Sequence, residues 1–225
     1  MTMRPGAAAM VAQWRALGLL AVAEGDGVLV SGRDPAWLHD ALRGLGIASS
    51  LAKDGLRLRV PDDAAGDARL QHAVQAALAP QALLLDLDGV LADIERRRAL
   101  ANVATVQALA ARWPLGVVTS CPRRLAESVL ARHGLQPFVR TVVGDEDGPG
   151  KPDPFPVRLA LQRLGAATAW MVGDNPSDVT AARAAAVVPL AIAPHGIGAE
   201  AHAERLRAAG AARLVQLDDV LLLAR

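Results

Sequence analysis

Residues 82–91 read ALLLDLDGVL, and this stretch decides the fold. Four consecutive apolar residues are typical of a short strand that is buried on both faces of a parallel β-sheet. Two carboxylates, Asp86 and Asp88, follow directly, and Gly89 favours a turn after them. In open α/β sheets, ligands bind beyond the carboxyl ends of the strands. The stretch therefore predicts a buried parallel strand that delivers two acidic side chains to a binding edge.

The chain from residue 81 onward repeats this pattern of short apolar strands separated by helical segments. Further strands are predicted at Leu115–Val118, Val139–Val143, 169–172 and Val188–Ile192. Apolar spacing predicts helices between them, two of which are expected at 96–113 and 125–133. Alternating strands and helices favour a doubly wound parallel sheet. We therefore predict an α/β fold with a Rossmann-like core.

Residues 1–80 have a different order of predicted helices and strands, which indicates a small α+β domain. The expected order is helix, strand, helix, strand, strand, helix. Helices are predicted at 7–23, 35–45 and 64–78, and strands at 27–30, around Ile47 and at 56–60. The boundary is placed at Ala-Pro-Gln, residues 79–81. The sequence thus predicts two domains, 1–80 and 81–225.

Polar residues follow several of the predicted parallel strands. Thr119 and Ser120 end the second strand, GKPD at 150–153 contains Lys151, and GDNPSD at 173–178 contains Asp174 and Asp178. Converging carboxylates repel one another unless a cation lies among them, and hard oxygen ligands suggest Mg²⁺. The lysine and the hydroxyl add a place for an anion. A carboxylate nucleophile beside a metal and an anion site fits phosphoryl transfer through an aspartyl-phosphate.

Four motifs in this order resemble the haloacid dehalogenase superfamily, in its phosphatase-like branch. They are DLDGV at 86–90, VVT at 117–119, GKPD at 150–153 and VGDNPSD at 172–178. The resemblance implies that Asp86 is the nucleophile and that Asp88 protonates the leaving oxygen and later activates water. It also implies that Thr119 binds phosphoryl oxygens, and we place Ser120 in the same substrate-binding set. A general acid at Asp88 favours phosphate esters over haloacids.

The same resemblance assigns the remaining polar residues. Lys151 would neutralise the nucleophile and the transferring phosphoryl group. Asp174 would ligate Mg²⁺ together with Asp86 and the main-chain carbonyl of Asp88, and Asp178 would hold the metal shell or Lys151. The chain contains only two lysines, Lys53 and Lys151, because its other basic residues are arginines. A lysine in such a chain favours a role that needs a compact ammonium group.

The predicted core has no large inserted cap domain. From Asp88 to Thr119 there are about thirty residues, which a loop and one helix would occupy. The interval from Thr119 to Lys151 also has no room for a large insertion. We therefore expect an open site, or one covered by the N-terminal domain or by a neighbouring subunit in a homodimer.

The N-terminal segment has its own resemblance, to the C-terminal small domain of histidinol-phosphate-type aminotransferases. It is carried by WLHDALRGLGI at 37–47 and LRLRV at 56–60. In that family, the arginine that matches Arg57 binds the substrate carboxylate. The large domain with the cofactor-binding lysine is missing, so transamination is not supported. By analogy, the pairing with a phosphatase suggests a phosphate ester related to amino acids, with histidinol phosphate as a candidate.

Composition narrows the class of protein. The chain has 24 basic and 23 acidic residues, and its net charge of +1 gives no basic field for nucleic acid. One cysteine, Cys121, cannot form an intramolecular disulfide, and without a histidine partner it favours an inert thiol. No apolar run reaches the ~18 residues of a membrane span. No signal peptide is evident in residues 1–10, and we expect a cytoplasmic protein that acts on a small-molecule phosphate ester.

Other interpretations stay open at this point. Asp-x-Asp-Gly and Gly-Asp also occur in ordinary turns, Thr119 could cap a helix, and Lys151 could be a solvated surface residue. The whole protein could be a non-catalytic binding or assembly module with a vestigial site. It could also be another phosphotransferase of the same superfamily, such as a phosphomutase, although an open site disfavours a reaction that must exclude water. His195, in a glycine-rich loop, is a weaker candidate for substrate contact.

Overall fold

The computed structural model describes residues 5–24, 27–32 and 34–224. Residues 1–4, part of the segment in which the sequence predicts no signal peptide, lie outside the described residues. Within the described ranges, one antiparallel sheet and one parallel sheet pack against shared helices, and a short hairpin lies apart from both. None of the helices in these ranges is long and apolar enough to cross a membrane.

The first sheet is antiparallel and has helices on one face. Its four strands have the order β1-β2-β4-β3. Along the chain the elements are α1 (Pro5–Ala16), β1 (Leu19–Glu24), β2 (Gly27–Gly32), α2 (Pro35–Gly44), β3 (Ser49–Ala52), β4 (Gly55–Arg59) and α3 (Ala64–Leu78). Val28, Val30 and Leu58 are buried beneath the helices, whereas Leu20 on the opposite face is 65% exposed. One face of this sheet therefore contributes to the core.

Two predictions for this region are wrong. The helix expected at 7–23 ends at Ala16, because Gly18 adopts a left-handed φ of 83° and the chain then turns into β1. The strand β1 pairs with β2 along its whole length. The strand expected around Ile47 begins at Ser49 instead, since the Ile47 N–H donates to Leu42 O (2.8 Å) and closes the end of α2. The order is thus αββαββα.

The second sheet is parallel and has the order β12-β11-β10-β5-β8-β9. The strands from β5 are β5 (Ala82–Leu85), β6 (Ala92–Asp93), β7 (Arg98–Ala99), β8 (Leu115–Val118), β9 (Val139–Val143), β10 (Ala169–Gly173), β11 (Val188–Ile192) and β12 (Arg213–Val215), of which β6 and β7 form the separate hairpin. The helices are α4 (Val103–Arg112), α5 (Arg123–Arg132), α6 (Phe155–Leu164), α7 (Pro176–Ala184) and α8 (Ala199–Ala209), with short 3-10 turns at 136–138, 145–147 and 217–224. The predicted doubly wound parallel sheet is confirmed.

The segment after the first strand differs from its prediction. The helix expected at 96–113 begins at Val103, where Asn102 Oδ1 caps it by accepting from the Ala104 N–H (2.9 Å). Residues 92–99 form the β6-β7 hairpin instead. The strand β12 was also not predicted. The helix expected at 125–133 is present as α5.

The described part of residues 1–80 packs against one face of the parallel sheet. Trp170 in β10 packs edge-to-face on Trp37 of α2, with 5.1 Å between ring centroids, and its Nε1 donates to Ala76 O (2.7 Å). Arg183 of α7 donates to Gly44 O (2.6 Å). One hydrophobic core includes residues from both sides of position 80, so the division into two domains stays a prediction.

Candidate active site

The strand order brings two acidic residues together at the carboxyl edge of the parallel sheet. Along the sequence, the chain runs from β5 toward β8 on one side and later returns to β10 on the other side. Asp86 follows β5 and Asp174 follows β10, so both lie at this switch point. Asp178, in the first turn of α7, completes a cluster in which one carboxylate oxygen of each residue lies within 4.8 Å of the others.

Lys151 is buried among these acids. Its side chain is 4% exposed, and its Nζ lies 2.8 Å from Asp86 Oδ1 and 2.6 Å from Asp178 Oδ1. The same nitrogen donates to Val118 O at 3.0 Å. Three acceptors therefore surround one ammonium group, a spacing that suits a compact point charge better than a planar guanidinium. The interpretation of Lys151 as a solvated surface residue is wrong.

Two glycines allow the acidic side chains to approach the main chain. Gly89 has a left-handed φ of 82°, and a Cβ there would lie 2.0 Å from Asp174 Oδ2. A Cβ on Gly173 would lie 2.2 Å from the Cβ of Asp178. Any side chain at these positions would push a carboxylate out of the cluster. The two glycines are thus part of the site although they carry no reactive group.

The electrostatics of the cluster favour a bound cation. Burial, followed by the charge of Asp178, raises the pKa of Asp174 to about 6 and also raises the pKa of Asp86. Burial opposes the charge of Lys151, but Asp86 and Asp178 raise its pKa above the ordinary value. Three carboxylates around one ammonium leave two negative charges to be balanced. An all-oxygen donor set with this charge fits a hard divalent cation.

Asp88 lies at the same edge but outside the carboxylate cluster. Its side chain is exposed, and its Oδ1 accepts a hydrogen bond from the Ile94 N–H (2.9 Å) in the turn of the β6-β7 hairpin. The hairpin thus holds the Asp88 carboxylate at the mouth of the cavity, where a proton donor could reach a leaving group. The Asp88 carboxylate is not one of the three that converge within 4.8 Å, and ligation of a metal by Asp88, through its main-chain carbonyl, stays a prediction.

The end of β8 forms one wall of the site. Thr119 is buried, its N–H donates to Val143 O (3.0 Å), and its Oγ1 accepts from the Cys121 N–H (3.2 Å). Ser120 is exposed beside it. These residues line a cavity of about 210 Å³ together with Asp86, Asp88, Lys151, Asp174, Asn175, Ser177 and Asp178. The seven residues assigned to the site from the motifs, Asp86, Asp88, Thr119, Ser120, Lys151, Asp174 and Asp178, therefore lie around this cavity.

The described part of the N-terminal segment does not line this cavity. Among the described residues, those that line it all belong to 86–178. A larger hollow of about 410 Å³ lies on the antiparallel sheet around Arg57. There, both terminal nitrogens of Arg57 contact Asp54 (2.8 and 2.6 Å), and Glu24 lies 3.4 Å away. Because these acids already bind Arg57, the geometry does not support a role for it in binding a substrate carboxylate.

Two groups that hold the site in place are not among the residues predicted from the sequence. Asp147, with a side chain that is 8% exposed, accepts from the Gly144 N–H (2.9 Å) and contacts Arg163 (2.7 Å) and Arg123. It fixes the loop that precedes Lys151. His202 on α8 contacts the main-chain oxygen of Asp174 (2.7 Å). The acidic run 145–147 was a usable signal, but nothing local marks His202. His195 is exposed and does not line the cavity.

Known proteins resemble the chain in both sequence and fold. A phosphoglycolate phosphatase from Rhodospirillum rubrum is 43% identical over 102 residues, which cover 44% of this chain and 42% of that protein. An imidazoleglycerol-phosphate dehydratase from Phytophthora nicotianae is 36% identical over 112 residues, which cover 48% of this chain and 25% of that protein. The matches thus span less than half the length of these relatives.

The fold and a family profile agree with these matches. A haloacid dehalogenase-like hydrolase from Streptococcus pneumoniae superposes with a TM-score of 0.53 at 17% identity, covering 65% of this chain and 99% of that one. The profile of haloacid dehalogenase-like hydrolases matches residues 26–186, more than half of the chain. The chain belongs to the haloacid dehalogenase-like hydrolase family.

Proposed function

We propose that this protein is a Mg²⁺-dependent phosphatase that hydrolyses a small phosphate monoester through a phosphorylated Asp86. The observation that carries this proposal is the placement of Asp86. Its carboxylate is 10% exposed at the switch point of the sheet, 2.8 Å from the Lys151 ammonium and beside two further carboxylates. Such a group can act as a nucleophile once the negative charge around it is balanced.

In the first step, an Asp86 carboxylate oxygen forms a bond to phosphorus while the bond between phosphorus and the ester oxygen breaks. The leaving oxygen takes the proton of Asp88, and the product alcohol departs. The Lys151 N–H groups and the Thr119 hydroxyl bind phosphoryl oxygens, whose negative charge they offset in the transition state. The hydrogen bond from Ile94 keeps Asp88 on the leaving-group side.

In the second step, water attacks the phosphorus of the aspartyl-phosphate. Asp88, now ionised, takes a proton from this water as the new bond between oxygen and phosphorus forms. The bond between phosphorus and the Asp86 oxygen breaks, which releases phosphate and restores the free carboxylate. Asp88 ends protonated and ready for the next ester, so protons and electron pairs balance over the cycle.

The side chains proposed to hold the cation are Asp86 and Asp174. Asp178 contacts Lys151 and adds negative charge beside the proposed cation site. When bound, Mg²⁺ would supply positive charge that reduces the electrostatic repulsion between the phosphoryl group and the Asp86 carboxylate. The gap left by Gly89 supports this assignment, because it lets the Asp174 carboxylate lie against the turn after Asp86.

The substrate proposed is a small phosphate ester connected with amino-acid metabolism. The cavity of about 210 Å³ suits a phosphoryl group with part of a small leaving group. One relative is a phosphoglycolate phosphatase, and another is a dehydratase of an imidazole-bearing phosphate. We therefore propose phosphoglycolate and histidinol phosphate as the two candidates. The aminotransferase-like character of residues 1–80, a homodimer and a cytoplasmic location stay predictions.

The test is phosphate release from an aryl phosphate with Mg²⁺ and then with EDTA. We expect turnover with Mg²⁺, loss of turnover with EDTA, and a fall of about 10⁴-fold or more in Asp86→Asn. Asp54→Asn is the matched control, because it removes a carboxylate remote from the site and should leave turnover unchanged. Absence of turnover in the wild-type protein under all conditions would favour a binding module. Turnover that survives Asp86→Asn would show that the nucleophile is wrong.

A second assay compares phosphoglycolate with histidinol phosphate. We expect kcat/KM for one of the two esters to exceed that for the aryl phosphate. If both are hydrolysed no faster than the aryl phosphate, the proposed substrate class is wrong while the proposed chemistry stands. Phosphoryl transfer to a sugar phosphate in place of water would favour the phosphomutase alternative.

A further inference from the structure

His202 on α8 forms a hydrogen bond whose direction the geometry fixes. Its Nδ1 lies 2.9 Å from Nη2 of Arg205, and its Nε2 lies 2.7 Å from the main-chain oxygen of Asp174. A guanidinium can only donate, so Nδ1 must accept. A carbonyl oxygen can only accept, so Nε2 must carry the proton and donate it. The ring is therefore held as the neutral tautomer with its proton on Nε2.

This bond holds the Asp174 loop from the side opposite to the cavity. On the inner side, Asp178 Oδ2 accepts from the Asn175 N–H (2.9 Å). On the outer side, His202 donates to the carbonyl of Asp174. The peptide between residues 174 and 175 is thus fixed at both of its polar groups. Its orientation sets where the Asp174 carboxylate lies against Gly89.

We propose that His202 is a positioning residue of the cation site and that it acts through the main chain of Asp174. The inference rests on the proposed function, because it requires a divalent cation at Asp86 and Asp174. Groups that orient metal ligands from outside commonly change metal affinity by about 10- to 100-fold when they are removed. His202 lies 28 residues from Asp174 in sequence, and it joins α8 to the reactive edge of the sheet.

The test is calorimetric titration of Mg²⁺ into the metal-free protein and its variants. We expect His202→Ala to raise the dissociation constant for Mg²⁺ by about tenfold. His202→Gln should restore most of the affinity, because its amide nitrogen can reach the position of Nε2 and donate to the same carbonyl. His72→Ala is the matched control. It removes another histidine that contacts a carbonyl, Ala186 O at 3.2 Å, and neither His72 nor Ala186 lines the cavity.

Each outcome of the titration decides a separate question. Wild-type affinity in a folded His202→Ala variant would overturn the inference and leave the proposed function intact. Failure of the wild-type protein to bind Mg²⁺ would overturn the proposed cation site itself. If His202→Ala does not fold, His202→Asn replaces it, because its shorter amide stands near the position of Nδ1 and cannot reach the carbonyl. Wild-type affinity in His202→Asn would then overturn the inference.

Discussion

The two sheets use the same charged residue types in opposite ways. On the exposed face of the antiparallel sheet, Arg57 contacts Asp54 and Glu24, and all three side chains are between 40 and 55% exposed. At the edge of the parallel sheet, Lys151 shares its single charge among buried carboxylates. Water screens the first group, whereas the second must be balanced by a ligand. Burial, more than the presence of acids and bases, distinguishes the reactive region from the inert one.

The two regions differ in burial because helices cover both faces of the parallel sheet but only one face of the antiparallel sheet. The parallel sheet has helices on both faces, so the strand ends are the places where its chain can present polar groups in a cavity. The antiparallel sheet is covered on one face, and the ion pairs of Arg57 on its other face are exposed to solvent. The following changes break or sharpen the comparison, beginning with the largest expected effect.

Exchanging lysine and arginine should reduce phosphate release strongly at the buried position Lys151 and only slightly at the exposed position Arg57. Lys151→Arg places a planar guanidinium in a space with three acceptors around one nitrogen, and we expect phosphate release to fall by about 10²- to 10³-fold. Arg57→Lys changes an exposed ion pair and should alter phosphate release by less than about twofold. Steady-state kinetics of both variants with Mg²⁺ measure this. Equal losses in the two variants would contradict the comparison.

Replacing one large side chain of each sheet with alanine should show which surfaces contribute to the free energy of unfolding. Trp170→Ala removes a buried ring and its hydrogen bond to Ala76, and we expect the free energy of unfolding to fall by about 3–5 kcal/mol. Leu20→Ala acts on the exposed face and should change it by about 0.5 kcal/mol or less. Urea unfolding monitored by circular dichroism measures both. A large loss in Leu20→Ala would mean that the exposed face is covered in solution.

Removing Mg²⁺ should destabilise the wild-type protein. A cation that binds only the folded state stabilises it by about 2.7 kcal/mol at a hundredfold excess over its dissociation constant. Thermal unfolding with Mg²⁺ and with EDTA measures this. The stabilisation should disappear in Asp174→Asn and persist in Asp54→Asn. Stabilisation by Mg²⁺ that persists in Asp174→Asn would point to a cation bound elsewhere.

The ion pairs of Asp147 should affect stability in a pH-dependent way. The hydrogen bond from Arg163, with further support from Arg123, holds the pKa of Asp147 well below its usual range. A carboxyl group with a lowered pKa in the folded state stabilises fully above its unfolded pKa of about 3.9, and this contribution is lost as the pH falls further. Asp147→Asn should therefore lower the free energy of unfolding near neutral pH.

Below about pH 4, the difference in the free energy of unfolding between wild type and Asp147→Asn should shrink, because protonation in the wild type removes the same interactions. The control is the exposed pair of Asp54 and Arg57. Asp54→Asn should show a smaller difference at every pH, since the side chains of Arg57 and Asp54 are 40% and 55% exposed and water screens their charges. Urea titrations over a pH series measure both variants. A constant difference for Asp147→Asn would contradict a role for its charge.

The sequence predicts the reactive half of the molecule well, because the information there is local. Buried strands are apolar runs, and the polar residues that follow them must emerge at one edge, so the sequence alone predicts that Asp86, Thr119 and Asp174 lie there. The strand β1 was missed because LLAVAE is apolar nearly throughout and shows no alternation. Its conformation depends on pairing with β2.

Residues that act over a distance were not predictable. The bond from His202 to Asp174 joins α8 to the loop after β10. The bond from Ile94 to Asp88 depends on a hairpin whose strands have two residues each, too short to predict from a sequence pattern. The helix predicted at 96–113 from apolar spacing included the arginine stretch at 96–98. In the fold, Arg96 instead contacts Asp93 (3.0 Å), and Arg97 adopts a left-handed φ of 55°.

The measurement that tests the central claim most directly is chemical trapping of residue 86. The protein is quenched with acid during turnover of a phosphate ester with Mg²⁺, treated with borohydride and digested for mass spectrometry. Reduction of an aspartyl-phosphate yields homoserine, and we predict homoserine at position 86 only when both ester and Mg²⁺ are present. Continued phosphate release with an unmodified Asp86 at every quench time, or reduction at a different residue, would contradict the account.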